Sequence, residues 1–372
     1  MHKNPTNFRY ITAARDTAFS SISINVSKCL KLLMNTARKS VSYQIKEIDN
    51  CIFVIDNRDR IINCINMCNQ KKNNYKQIST WDFSTLYTKI PHQKLKDKVS
   101  TFVRKVYKCV KHSSKAANYI SCSDKSRTAY WSKSSSKSNL SLSADQLIAL
   151  MNIIIDNSYI LFHDNVFRQI IGIPMGTNCA PYLANIFLHA YEYEYLVKLV
   201  EQGNTVTARK LAQLFRYQDD CAAFNDNGMF KEHYKHIYPP EMVLECTNLS
   251  NATCTFLDLR ISVFRGKFRY KSYDKRKEFN FSIANYPHMN GNIPYSTSYG
   301  VYTSQLVRYC DINLEIKSFV ADVKDMTDKF ICQGFITDML KNTFRKFRDK
   351  YLYKWSKFGV DISDFCASLF TC

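Results

Sequence analysis

Three acidic side chains at two places in the chain are of a kind that binds hard cations. Asp82 ends a short apolar stretch, Ser79-Thr80-Trp81-Asp82-Phe83, which runs into a polar turn. Asp219 and Asp220 stand side by side between apolar and aromatic flanks, in Phe215-Arg216-Tyr217-Gln218-Asp219-Asp220-Cys221-Ala222-Ala223-Phe224. Adjacent carboxylates at a hairpin tip repel each other unless a cation or hydrogen-bond donors offset the charge. A plainer reading stands beside that one, because Asp-Asp also makes an ordinary polar turn. Magnesium takes oxygen ligands, with one or two carboxylates completed by phosphate and water. Two such ions a few ångströms apart serve phosphoryl transfer, in which the protein positions the groups and neutralises developing charge. A site of that kind needs carboxylates from different strands converging at strand ends.

The surrounding pattern supplies elements able to do this. A short strand over 79–84 carries Asp82, and a strand pair over 214–224 carries Gln218, Asp219 and Asp220 at its tip. Leu95, Val99, Phe102, Val103 and Val106 recur at helical spacing, predicting a helix over 92–106. Further helices are expected over 24–34, from Ser143 (a candidate cap) onward, over 178–200 with Pro181 in its first turn, and over 228–238, stopped by Pro239-Pro240. A hairpin is expected over 159–173, and single strands over 8–13, 242–246, 255–263 and 267–273. Residues 51–78 read as helix then loop, and 304–355 as basic helices. The Lys- and Ser-rich stretch 111–145 reads as a solvated basic surface insertion.

Composition narrows the partners. Fifty-two Lys and Arg against 32 Asp and Glu give 372 residues a net charge of +20, a field that favours polyanions. No apolar stretch approaches the roughly 18–20 residues that a membrane-spanning helix needs, so nucleic acid is a better partner than membrane. The 14 cysteines are scattered, and Cys64 and Cys68 have no second pair at metal-ligand spacing. With no apolar leader at the start, the chain reads as intracellular, nuclear or cytoplasmic, and not secreted.

Four segments now fall into order: WDFSTLYTKIP (81–91), IIGIPMGTNCAPYLANIFL (170–188), FRYQDDCAAFN (215–225) and FLDLRI (256–261). Together with YDKRKEFNF (273–281) and NIPYSTSYGVYTSQLVRY (292–309), this series resembles the ordered motifs of reverse transcriptases, most closely those of Penelope-like retroelements and related retroelement-derived polymerases. The resemblance implies an α+β right-hand polymerase: a palm with an antiparallel sheet of the split βαβ type, partial fingers and a helical thumb. Its boundaries would be partial fingers over 1–80, palm over 81–290 with the fingers-side insertion at 111–145, and thumb plus C-terminal extension over 291–372.

The activity implied is RNA-directed DNA polymerisation with two Mg2+ ions, for which Mn2+ can substitute. Asp82, Asp219 and Asp220 would be the catalytic carboxylates, with the Phe83 carbonyl a further metal ligand. Tyr87 matches the family's steric gate, whose ring packs under the sugar and clashes with a 2′-hydroxyl; outside the motif, a tyrosine at a helix start is as readily a core residue. That match disfavours an RNA polymerase. Met175 and Gly176, in the turn from Gly172, would lie against the incoming base pair. Arg9, with Lys3 assisting, would hold the triphosphate through bidentate bonds. Phe256, Leu257 and Asp258 resemble the primer grip, a hairpin that holds the primer end, although alone they read as a strand. Lys231 or Lys235 is a candidate proton donor to pyrophosphate, although a solvated helix lysine accounts for either. The partners implied are a template–primer duplex of RNA or DNA and deoxynucleoside triphosphates, with an endonuclease supplied in trans.

Two departures stand out. Gln218 occupies a position that is usually aliphatic in the family, its side chain expected to alternate away from the metals. Arg9 lies so near the first residue that the fingers read as truncated or drawn from a longer element. A catalytically impaired protein that binds nucleic acid without polymerising is the alternative these departures leave open.

Overall fold

Helix α1 (Ser20–Lys39) turns Val26, Cys29, Leu30, Leu33 and Ala37 inward at helical spacing. The computed structural model describes residues 17–48, 50–71, 75–113, 116–123, 127–136, 139–226, 228–248, 250–281, 283, 286–365 and 369–370. Within them α2 (His92–Lys111) buries Leu95, Val99, Phe102, Val103, Val106 and Val110, the stripe expected from their spacing. Each such side chain contributes about 1.5–3 kcal/mol on leaving water. Helix α3 (Ala144–Asp156) starts at Ser143, whose hydroxyl accepts from the Gln146 backbone while the Gln146 side chain accepts from the Ser143 N–H. Helix α4 (Ala180–Glu201) carries Pro181 in its first turn and is buried on several sides, with Leu183, Ala184, Phe187, Leu188 and Leu199 in the core.

Two compact units result. The first comprises the described part of Met1–Asn57 together with Ser79–Cys246, the second Arg58–Ile78 with Thr247–Cys372. In the first unit, strands β1 (Ile78–Phe83), β2 (Leu214–Tyr217), β3 (Asp220–Phe224) and β4 (Leu244–Cys246) form one sheet in the order β2-β3-β1-β4. The β2–β3 and β1–β4 pairings are antiparallel. Ile55 donates its N–H to the Arg216 carbonyl and Arg216 donates to that of Phe53, each at 2.8 Å, so the segment before the second unit lines the β2 edge.

The stretch 111–145 holds more structure than its composition predicts. Tyr119–Cys122 is the middle strand of a three-stranded sheet with Ala129–Ser132 and Leu140–Leu142. Ile120, Ser121 and Cys122 are buried, and Trp131 donates its indole N–H to Thr36 Oγ1 at 2.8 Å. A few apolar residues on one face suffice to seat a short sheet, whatever the charge of the other face.

In the second unit, the expected single strand over 255–263 is a hairpin: Thr253–Phe256 pairs with Leu259–Phe264 around Leu257 and Asp258, and Lys267–Ser272 adds a third strand. Helices Tyr295–Ile312, Ile316–Cys332 and Thr337–Lys350 pack Tyr302, Leu306, Phe319, Val323, Phe330, Phe344 and Phe347 into its core. The expected strand over 8–13 lies outside the described residues. No helix among the described residues is long and apolar enough to cross a membrane.

Candidate active site

Strands β2 and β3 pair Leu214 with Ala223, Phe215 with Ala222, Arg216 with Cys221 and Tyr217 with Asp220. That register leaves Gln218 and Asp219 as a two-residue turn. A turn this tight takes positive φ at its first position, and Gln218 has φ +56. A side chain there crowds the following carbonyl, at a cost of about 1–2 kcal/mol. Strain therefore sits directly beside the acids.

The turn is held from below by a buried guanidinium. Arg216 is fully buried and uses all five of its N–H groups. Nε donates to Glu192 Oε1 at 2.6 Å and Nη2 to Glu192 Oε2 at 3.2 Å. Nη1 donates to Asn185 Oδ1 at 2.7 Å and to the Gln218 carbonyl at 3.2 Å, and Nη2 to the Asn185 carbonyl at 3.1 Å. Tyr238 donates its hydroxyl to Glu192 Oε1 at 2.8 Å. Burial alone would lower the Arg216 pKa, but the Glu192 carboxylate more than reverses this and raises it. Nearby His189 is pushed down to about 3 by burial first and by the Arg216 charge second, so its ring is neutral. Its 3.9 Å approach to Glu192 is accordingly not an ion pair.

On the other side of the turn, the Phe83 N–H donates to the Asp219 carbonyl at 2.9 Å. This bond sets the end of β1, with half-buried Asp82, against Asp219 in the turn and Asp220 at the start of β3. The three carboxylates expected from the sequence thus stand on adjoining strand ends. Directly opposite Asp82 in the β1–β4 register is Glu245, a fourth acid on the same face that the sequence did not single out. Among the described residues no three His, Cys, Asp or Glu side chains close up into a metal cage of their own. Magnesium asks for less than that: one or two carboxylates, with water and substrate phosphates for the rest. Asp82 and Asp219 offer hard oxygens of the right kind, and an open set of this sort suits an ion shared with phosphates.

Tyr87 lies in the short helix Leu86–Lys89 just after β1, and its hydroxyl donates to Gln218 Oε1 at 2.9 Å. The Gln218 side chain therefore turns to Tyr87, a contact that strand alternation gave no hint of. Burial, then the Asp219 charge, pushes the Tyr87 phenol up to about 12. The Tyr87 carbonyl accepts from the Ile173 N–H at 2.7 Å, while the Gly172 N–H donates to the Ile90 carbonyl at 2.8 Å. Gly172 has φ +81, and a Cβ on it would sit 2.5 Å from the Tyr87 oxygen, so only glycine fits. His92 Nε2 meets the Gly172 carbonyl at 2.7 Å. Half-buried Met175 and exposed Gly176, at φ +127, form the turn that precedes α4.

Other expected site residues belong elsewhere. Phe256, Leu257 and Asp258 are in the second unit, where Leu257 takes φ +56 at the hairpin turn. Asp258 Oδ2 accepts from Arg58 Nη1 at 2.9 Å and from Arg308 Nε at 3.0 Å, which makes it a staple within that unit. Lys231 and Lys235 are exposed on helix Met229–Ile237. Arg9 and Lys3 lie outside the described residues. What sequence reasoning missed was the Arg216–Glu192–Asn185 support; its only sequence signal is a charged residue at an inward-facing strand position and another inside the apolar run of α4.

No protein-family model matches the sequence, and no curated protein does. Among solved structures, telomerase from Candida albicans in complex with a TWJ fragment of telomeric RNA has a TM-score of 0.56 at 10% identity, covering 94% of this chain and 55% of that one. Apo telomerase from Candida tropicalis has a TM-score of 0.46 at 12% identity, over 90% of this chain and 54% of that one. The chain thus spans little more than half the length of these structures. The first likeness, taken with the strands and helices above, shows an α+β right-hand polymerase fold of the reverse-transcriptase kind, as the ordered motifs led us to expect.

Proposed function

We propose that the chain is an RNA-directed DNA polymerase that extends a primer by two-metal-ion nucleotidyl transfer. The observation that carries this reading is the Phe83–Asp219 backbone bond, which brings Asp82 to the Asp219–Asp220 turn with Tyr87 alongside. Divalent ions held there, Mg2+ or Mn2+, would supply charge neutralisation at the attacking oxygen and at the leaving phosphates. Asp82 and Asp219 are the proposed ligands, with Asp220 beside them and the Phe83 carbonyl completing the set. Tyr87 walls the sugar, Met175 and Gly176 back the incoming base pair, and Arg9 grips the triphosphate. Phe256, Leu257 and Asp258 steady the primer end, Asp258 by fixing the turn through Arg58 and Arg308.

The neighbour with the same fold was solved with a fragment of telomeric RNA, which supports RNA among the partners, and we take RNA as the template to be tested first. Within these polymerases, the motif order most closely resembles Penelope-like retroelements and related retroelement-derived polymerases, and that is the branch we propose. The test is primer extension of a DNA primer on matched RNA and DNA templates with Mg2+ or Mn2+. Extension is expected on RNA, and Asp219→Asn is expected to abolish it while nucleic-acid affinity is kept. Failure of the unaltered protein with both ions and both templates overturns the reading and leaves a binding protein without polymerase activity.

A further inference from the structure

Resting on the polymerase reading, we infer that Gln218 is a positioning residue for sugar selection, holding the Tyr87 ring in place by accepting a hydrogen bond from its hydroxyl. Three contacts carry this. The ring's backbone end is fixed where the Tyr87 carbonyl accepts from Ile173 N–H at 2.7 Å. Its other end is fixed by the 2.9 Å bond to Gln218 Oε1. The backbone that carries the acceptor is itself held, because the Gln218 carbonyl takes a hydrogen bond from the buried Arg216 guanidinium at 3.2 Å. A ring tied at both ends cannot swing aside for a bulkier sugar, whereas a ring tied only at its backbone can rotate about its side-chain bonds. The phenol is suited to the donor role, since burial and the Asp219 charge keep it protonated far above neutral pH.

The left-handed backbone at Gln218 fits the same account. Gly, Asn or Asp would meet the turn's φ with less strain. Glycine has no side chain to offer, and the shorter Asn and Asp place their oxygens nearer the backbone. Gln reaches Tyr87 with an amide oxygen.

The experiment compares kcat/KM for a deoxynucleoside triphosphate with that for its ribonucleotide counterpart in the full chain. Gln218→Met removes the acceptor at nearly constant length. It is expected to lower the deoxy/ribo ratio about three- to tenfold, the worth of one hydrogen bond, mainly through ribonucleotide KM. Tyr87→Phe removes the donor and keeps the ring, so it should do the same, and the double variant should go no further than either single one. Gln218→Glu keeps an acceptor and should hold the ratio within about twofold of the original. If the unaltered protein extends primers but Gln218→Met and Tyr87→Phe leave the ratio unchanged, the inference falls and the polymerase reading stands. Should Gln218→Met fail to fold, Tyr87→Phe, which deletes a single oxygen, decides the matter alone. If the unaltered protein extends nothing, both fall together.

Discussion

Arg216 and Glu192 meet at 2.6 Å with both side chains fully buried, directly beneath the acidic turn. A buried ion pair of this kind is costly to assemble and costlier to break, because removing one partner strands the other's charge. Arg216 also carries the Gln218 carbonyl, so the pair's geometry is transmitted to Asp219. Arg216→Met is therefore expected to destabilise the protein by about 3–5 kcal/mol, read as a lower midpoint in urea unfolding. Lys94 and Glu241 form the comparison: they also pair at 2.6 Å, but with 44% and 33% of their side chains exposed. Lys94→Met should cost less than about 1 kcal/mol. Equal losses for the two variants would remove the support role given to Arg216.

His189 predicts a pH dependence. Its ring is wholly buried, with the Tyr43 hydroxyl 2.9 Å from Nε2, Glu192 at 3.9 Å, and the Arg216, Arg38 and Lys105 charges all opposing protonation. The folded value of about 3 lies below the ordinary value of 6.5. A depressed pKa contributes stability that is present above 6.5 and lost as pH falls towards 3. His189→Gln, which does not titrate, should flatten the fall of stability between those limits relative to the unaltered protein. Chemical denaturation at a series of pH values measures the difference, and parallel curves would show that the imidazole contributes nothing to acid sensitivity.

Gly172 and Gly203 separate crowding from backbone strain. Both have positive φ, +81 and +76, but a Cβ on Gly172 meets the Tyr87 carbonyl at 2.5 Å whereas one on Gly203 meets nothing within 4 Å. Gly203→Ala should cost only the left-handed penalty of about 1–2 kcal/mol. Gly172→Ala should cost more and should also impair extension, since the loop over 170–174 is bonded to Tyr87 and Ile90. Thermal unfolding of the two variants tests the ranking, and an equally mild Gly172→Ala would mean that this loop gives way freely.

Much of this arrangement was legible in the sequence because it rests on local spacing. Leu95, Val99, Phe102, Val103 and Val106 fall on one face of any helix that contains them, and their burial in α2 follows. Asp219 and Asp220 between two apolar runs likewise required a tip. Arg216–Glu192 was not legible, because nothing local tells a strand arginine which helix glutamate it will meet 24 positions away. The primer-grip resemblance implied a hairpin at Leu257 and Asp258, but the local pattern alone read a single strand for a chemical reason: leucine is among the poorer residues for positive φ, and no Gly or Asn marked the break. The expected hairpin over 159–173 did form, yet Leu161 is 71% and Val166 68% exposed, so an apolar run located the strands without fixing their burial.

Charge makes the last prediction. At +20 the chain should bind nucleic acid chiefly through phosphates, and each neutralised phosphate releases counterions whose entropy disappears as salt rises. For a duplex footprint of about six phosphates or more, the logarithm of affinity should fall against the logarithm of salt with a slope near −5 or steeper. Fluorescence anisotropy of a labelled template–primer duplex, titrated at several salt concentrations, gives that slope. Asp219→Asn should leave the slope unchanged, since in the proposed function the turn acts on the reacting phosphates and not along the duplex. A slope shallower than about −2 would mean that the excess charge is spread over surfaces that do not touch the backbone, and the phosphate-tracking role would have to be given up.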